Sequence, residues 1–139
     1  MTLRVVDQAE EHFLDAILAV NYSLRLFSNN VENGLSTAQR DALTEASFTE
    51  ATFTGYASAA LTGGAWTTAP GNPASAYYAA QSFTSTADQT PETIWGYYVL
   101  RSSDLRLEWY EYFSASATIQ YNSESIVVTP RMTLADTSD

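Results

Sequence analysis

Ile94-Trp95-Gly96-Tyr97-Tyr98-Val99-Leu100-Arg101, then Ser102-Ser103-Asp104, then Leu105-Arg106-Leu107-Glu108-Trp109-Tyr110-Glu111-Tyr112-Phe113, is the stretch that decides the fold of this chain. Both arms are rich in aromatic and aliphatic residues, and the three residues between them are small or turn-forming. Together they predict an antiparallel hairpin. In the second arm Leu105, Leu107, Trp109 and Phe113 fall on one face, and Arg106, Glu108, Tyr110 and Tyr112 on the other.

The same period of two extends outward from that hairpin. Downstream, Ala117 to Tyr121 and Ile126 to Thr129 read as a second hairpin turning near Asn122-Ser123, and Pro130 limits its last strand. Met132 to Leu134 adds one short extended piece. Upstream, Leu24 to Ser28 alternates as a strand, and Asn29-Asn30 with Asn33-Gly34 is turn chemistry. Residues 36–46 carry a weak helical signal capped by Ser36 or Thr37, enough for one or two turns. Ala51 to Leu61 alternates small and aromatic residues up to Gly63-Gly64. Trp66 opens a short strand that Pro70-Gly71-Asn72-Pro73 closes, and Ala76 to Thr86 is the next strand. About six to eight short strands with a turn roughly every ten residues predict a mainly β fold, an antiparallel sandwich or jelly-roll-like barrel. The alternative is an α+β arrangement with a genuine second helix at 36–46.

One N-terminal α-helix precedes the strands. Asp7 is the expected N-cap with Glu10 as its capping-box partner. Ala9, Phe13, Ala16, Ile17 and Val20 then recur at helical spacing over about residues 8–20, with Leu14 and Leu18 widening the stripe. The chain thus divides into an N-terminal arm or edge strand (1–7), a single globular domain (8–134) and a frayed tail (135–139).

A length of 139 residues is about one domain, large enough to support its own core. There is no cysteine, so neither disulfides nor thiolate metal sites are available. The six basic residues are all arginine, against sixteen acidic ones, for a formal charge of -10. Nucleic-acid binding needs a basic face, and an anionic membrane surface would repel this chain, so neither partner is expected. Residues 1–6 lack the features of a signal peptide, and no stretch approaches the ~20 apolar residues of a membrane span. A soluble protein made and used without secretion is expected.

The residues offer little catalytic chemistry. Glu108 and Glu111 lie three apart in a strand and point to opposite faces. His12 is the one histidine, which leaves it without a partner for a metal or a triad. No Gly-x-Ser-x-Gly turn and no calcium-loop spacing is present, so no catalytic residue, metal or cofactor is expected. The aromatic supply is a stronger signal. Tyr77-Tyr78, Trp95, Tyr97-Tyr98, Trp109-Tyr110 and Tyr112-Phe113 put rings on both faces of adjacent strands. One face must be core, and the other is covered by the chain itself or by a partner. Trp95, Tyr97, Tyr98, Tyr110 and Tyr112 are therefore candidate contact residues for a homo-oligomer, with a trimer preferred. Leu3 and Val5 of the arm are candidates for strand addition to a partner or to the chain's own sheet. A sugar-stacking platform built on Trp66, Trp95 or Trp109 is the competing use of the rings.

Four pieces occur in order: an apolar N-terminal helix before Leu24-Arg25-Leu26-Phe27-Ser28-Asn29-Asn30; Phe48 to Ala57 with Trp66 downstream; Ile94 to Val99 followed by Leu107 to Phe113; and Ile126-Val127-Val128-Thr129-Pro130. As an ordered set covering about two thirds of the chain, they resemble small structural virion proteins encoded among the head and tail genes of tailed bacteriophages. The resemblance implies a capsid decoration (cement) protein. Such a protein is made in the host cytoplasm and bound to the outside of the major capsid shell. A neck, tail or fibre-base protein is the alternative within the same group. The resemblance brings no catalytic residues with it.

Overall fold

The computed structural model describes residues 5–134. Among these the chain is mainly β, with one substantial helix and every strand pairing antiparallel in a sandwich-like arrangement. Helix α1 (Asp7–Ile17) leads into β1 (Tyr22–Phe27). A long segment follows that contains the short α2 (Thr37–Asp41) and a 3-10 turn (Glu45–Ser47). Then come β2 (Ala59–Leu61), β3 (Thr67–Ala69), β4 (Ala74–Tyr77), β5 (Gln81–Thr84), β6 (Glu92–Arg101), β7 (Leu107–Ile119), β8 (Ser125–Val128) and β9 (Arg131–Leu134). They form a four-stranded sheet β2-β1-β6-β7, a three-stranded sheet β3-β4-β9 and the ribbon β5-β8.

The β6–β7 hairpin is the spine, as its sequence predicts. Its turn is closed by the Leu105 N–H donating to the Arg101 carbonyl at 2.8 Å and by the Arg101–Asp104 ion pair. β6 is central, and residues 96–100 are buried on both faces. Two register breaks modify the simple alternation. Val99 faces Trp109 while Leu100 faces Leu107, so Glu108 is the extra residue of a bulge. Leu107 is thereby turned away from Trp109 and joins Tyr110 and Tyr112, a correction to the expected face assignment. Farther along, Ile94 faces Ala117 and Gly96 faces Tyr112, so residues 113–116 bow out opposite Trp95.

Other expectations are corrected by pairing that is long-range in sequence. Ala76 to Thr86 is two strands, not one: β4 pairs with β3 and β9, and β5 pairs with β8. The expected hairpin between residues 117–121 and 126–129 turns where predicted, with Ser123 at φ 72, but its arms enter different sheets. From Ala51 to Ser58 the chain is irregular: Ala51 and Phe53 are buried by side-chain packing, and only Ala59–Leu61 joins the ladder. Residues 36–46 hold the expected turn or two. Ser36 caps α2, with its Oγ accepting from the Gln39 N–H and the Gln39 side chain accepting from the Ser36 N–H.

Helix α1 lies against β3, β4 and β9. Ala74 and Ala76 are small enough for the helix to approach, and Leu14 and Leu18 enter the main core beside Tyr22, Leu24, Leu61 and Val99. The Gly64 N–H donates to the Leu18 carbonyl at 3.0 Å, and the Tyr22 hydroxyl donates to the Ile17 carbonyl at 2.5 Å. Asp7 is the first helical residue rather than the N-cap, and Glu10 is buried instead of capping. The helix is also rotated from the expected orientation. Glu10, Leu14 and Leu18 face inward, while Phe13, Ile17 and Val20 face solvent. The reason is shape: the branched Leu14 and Leu18 pack into the core that holds Ala74 and Ala76 of β4, and apolar periodicity cannot say which edge of a wide stripe turns inward. Of the expected N-terminal arm, Val5 is half-buried and Val6 exposed, and neither pairs in a sheet. Leu3, like the tail 135–139, lies outside the described residues.

Candidate functional site

The aromatic residues singled out by the sequence occupy two environments. On the outer face of the four-stranded sheet, Phe27, Phe48, Tyr98 and Leu100 form a second buried cluster, flanked by Trp95, Leu107, Tyr110 and Tyr112. Phe48 stacks on Tyr98 with ring centroids 4.8 Å apart, and Phe27 meets Tyr112 edge-on at 5.1 Å. The segment between β1 and Phe48 lies over this cluster as a strap. Its ties are polar. Tyr110 donates to the Glu32 carboxylate at 2.7 Å, the Glu32 N–H donates to the Tyr112 hydroxyl at 2.8 Å, and the Asn29 side chain bridges Ser47 and Thr49. Burial and the Glu32 carboxylate push the Tyr110 phenol up to about 12.

On the inner face, Tyr97 is buried and donates to Glu111 Oε2 at 2.6 Å, and Arg131 completes the triplet by pairing with Glu111. Burial would raise the Glu111 carboxyl, but the hydrogen bonds from Arg131 and Tyr97 outweigh it and hold it below its ordinary value. The triplet borders a cleft of about 580 Å³ between β7 and β8, whose apolar wall is Tyr77, Phe113 and Val127. Glu50 is likewise committed, to Arg25 at 3.0 Å and to the Tyr56 hydroxyl at 3.0 Å. These carboxylates are matched to permanent partners, an arrangement that stabilises a fold and leaves no free acid–base pair among them.

Two of the candidate contact residues, Tyr97 and Tyr98, are enclosed and present no surface to a partner. Both are buried by the chain itself because β6 has cover on both faces. Tyr110, Tyr112 and Trp95 are half-buried, with Tyr110 and Tyr112 bound by hydroxyl to the strap. Trp66 and Trp109 pack edge-to-face, centroids 5.9 Å apart, with their indole nitrogens enclosed, so they do not form a flat platform. The surface that sequence reasoning placed inside is the more informative one. Phe13 and Ile17 of α1 are 47% and 37% exposed, and Val6 and Val20, just outside its two ends, are 63% and 43% exposed. The signal for it was present as the strongest helical stripe in the sequence. Among the described residues no group of His, Asp and Glu is arranged to hold a metal, and no helix is long and apolar enough to cross a membrane. Comparison of the chain with family models, curated proteins and solved structures finds no match.

Proposed function

We propose that this chain is a non-catalytic structural protein of a tailed-phage virion, acting as a decoration (cement) protein on the outside of the major capsid shell. The carrying observation is where its unsatisfied surface lies. The polar side chains near the aromatic clusters are tied into structural pairs such as Glu111–Arg131 and Glu50–Arg25. Exposed large apolar side chains lie on α1 (Phe13, Ile17), just outside its ends (Val6, Val20) and at the β7–β8 cleft (Tyr77, Val127). A surface of that kind serves adhesion to other proteins better than turnover of a substrate. The charge of -10 suits a small domain displayed at high density without aggregating. The ordered sequence pieces from Leu24 to Pro130 support the same reading. Its partners are then the major capsid protein and other copies of the chain.

Gradient-purified particles from the source organism test this directly. The protein should co-sediment with particles, and immunogold against it should decorate heads. Label confined to necks or tails would favour the alternative position, and absence from particles would overturn the virion reading.

A further inference from the structure

We infer that Asn33-Gly34 is a self-modification site: the Asn33 side chain converts spontaneously to a carboxylate, and the conversion loosens the strap over the outer-face aromatics. Water is the one co-reactant. The Gly34 backbone nitrogen gives up its proton to solvent and attacks the side-chain carbon Cγ of Asn33. A bond forms from that nitrogen to Cγ, the Cγ–Nδ2 bond breaks, and Nδ2 leaves as ammonia with a proton from solvent. Water then opens the cyclic imide. Opening at Cγ gives aspartate, and opening at the main-chain carbonyl gives isoaspartate, whose backbone runs through Cβ and Cγ. The net change is amide plus water to carboxylate plus ammonium.

The fold leaves Asn33, of six asparagines, free to react. Asn33 and Gly34 are both exposed. The peptide between them makes no hydrogen bond through its C=O or its N–H among the described residues, so it can turn toward the side chain. Gly34 has no Cβ, sits at φ +74, and has open space where a Cβ would stand, so the ring closes without a clash. Each other asparagine lacks one of these conditions. Asn21 accepts from the Gly63 N–H at 2.8 Å, and Asn29 is held at both side-chain atoms by Ser47 and Thr49. Asn30 accepts from the Tyr112 hydroxyl, and the Val31 N–H that follows it is bonded to the Asn29 carbonyl. Asn72 precedes Pro73, which has no N–H. The Ser123 N–H after Asn122 donates to the Ser85 carbonyl at 2.9 Å.

The consequence falls on Glu32, the preceding residue. Its carboxylate accepts from Tyr110 at 2.7 Å and lies 3.6 Å from the Arg40 Nε, and its N–H donates to the Tyr112 hydroxyl at 2.8 Å. A carboxylate on residue 33 sets a like charge beside it, on a molecule already at -10. Isoaspartate also adds a methylene to the backbone between the Asn33 N–H to Asn30 carbonyl bond and the Leu35 N–H that donates to the Glu32 carbonyl. Both changes weaken the ties of the strap to Tyr110 and Tyr112.

Purified protein aged at mildly alkaline pH tests this, with peptide mass mapping and isoaspartyl methyltransferase labelling as readouts. Asn33 should convert at least tenfold faster than the other five asparagines, because it alone precedes a residue without a Cβ. Asn33→Gln should stay unmodified at that position with an unchanged circular dichroism spectrum. Hydrogen exchange of residues 30–46 should quicken in the aged parent in step with conversion, and not in aged Asn33→Gln. Conversion at Asn122 or any other asparagine that keeps pace with Asn33 would overturn the site. Unchanged exchange in protein converted at Asn33 would overturn the loosening of the strap.

Discussion

Phe27 lies across Gly96: a Cβ at residue 96 would stand 2.8 Å from two carbons of the Phe27 ring and 2.1 Å from the Glu111 carbonyl oxygen. The glycine lets β7 and an aromatic ring approach the same point of the central strand, where Tyr112 meets Phe27 edge-on. Gly96→Ala should therefore destabilise the protein by at least about 2 kcal/mol, the scale of overpacking a core. Urea denaturation would register it as a lower midpoint with little change in slope.

A second close approach joins α1 to the β2–β3 turn. A Cβ on Gly63 would fall 2.1 Å from the Ala19 carbonyl oxygen, whereas Gly64, at φ +77, has open space around its Cβ position. Gly63→Ala must push the turn off the helix. Gly64→Ala bears only the left-handed backbone cost of about 1–2 kcal/mol. Thermal melts should rank Gly63→Ala as the less stable of the two, and the opposite order would argue against this contact.

Tyr97, Glu111 and Arg131 give the fold an acid dependence. The Glu111 carboxyl is held below its ordinary value, so the folded state favours its ionised form. Its stabilising contribution is complete above the unfolded carboxyl value of about 4.3 and is lost as pH falls through the lower folded value. Glu111→Gln should be less stable than the parent at neutral pH, with the gap closing below about pH 4. Tyr97→Phe removes one hydrogen bond to that carboxylate and should cost about 1–2 kcal/mol at neutral pH. Denaturant midpoints measured across pH check both.

The strap answers to base instead. The Tyr110 phenol, pushed up to about 12 by burial and by Glu32, has a higher value folded than unfolded. Its contribution is present below about pH 10 and is lost as pH rises through its folded value. Hydrogen exchange of residues 30–46 should accelerate over that interval before the sheets unfold. In Tyr110→Phe that step should be missing and the strap should exchange faster already at neutral pH.

Much of the fold was legible in local pattern. The β6–β7 hairpin, β1, the turn or two at 36–46 and the mainly β class follow from alternation and turn residues that act over a few positions. The errors fell where partners are distant in sequence. Nothing local says that the strand at 81–84 pairs with 125–128, or that Ala51 and Phe53 are buried without a ladder. The aromatic contact residues were legible as rings but not as surfaces. Covering Tyr98 depends on a strap anchored by Tyr110 to Glu32 across 78 residues of chain.

Helix α1 marks the boundary most clearly. The sequence by itself determined that a helix forms near residues 8–20, where α1 in fact ends at Ile17, and that it carries a wide apolar stripe, because helical period and residue type are local properties. Tertiary structure alone decided which edge of that stripe is core. Leu14 and Leu18 fit over the small Ala74 and Ala76, and Gly63-Gly64 locks the helix end in that rotation. Packing shape, which no periodicity encodes, placed Phe13 in water.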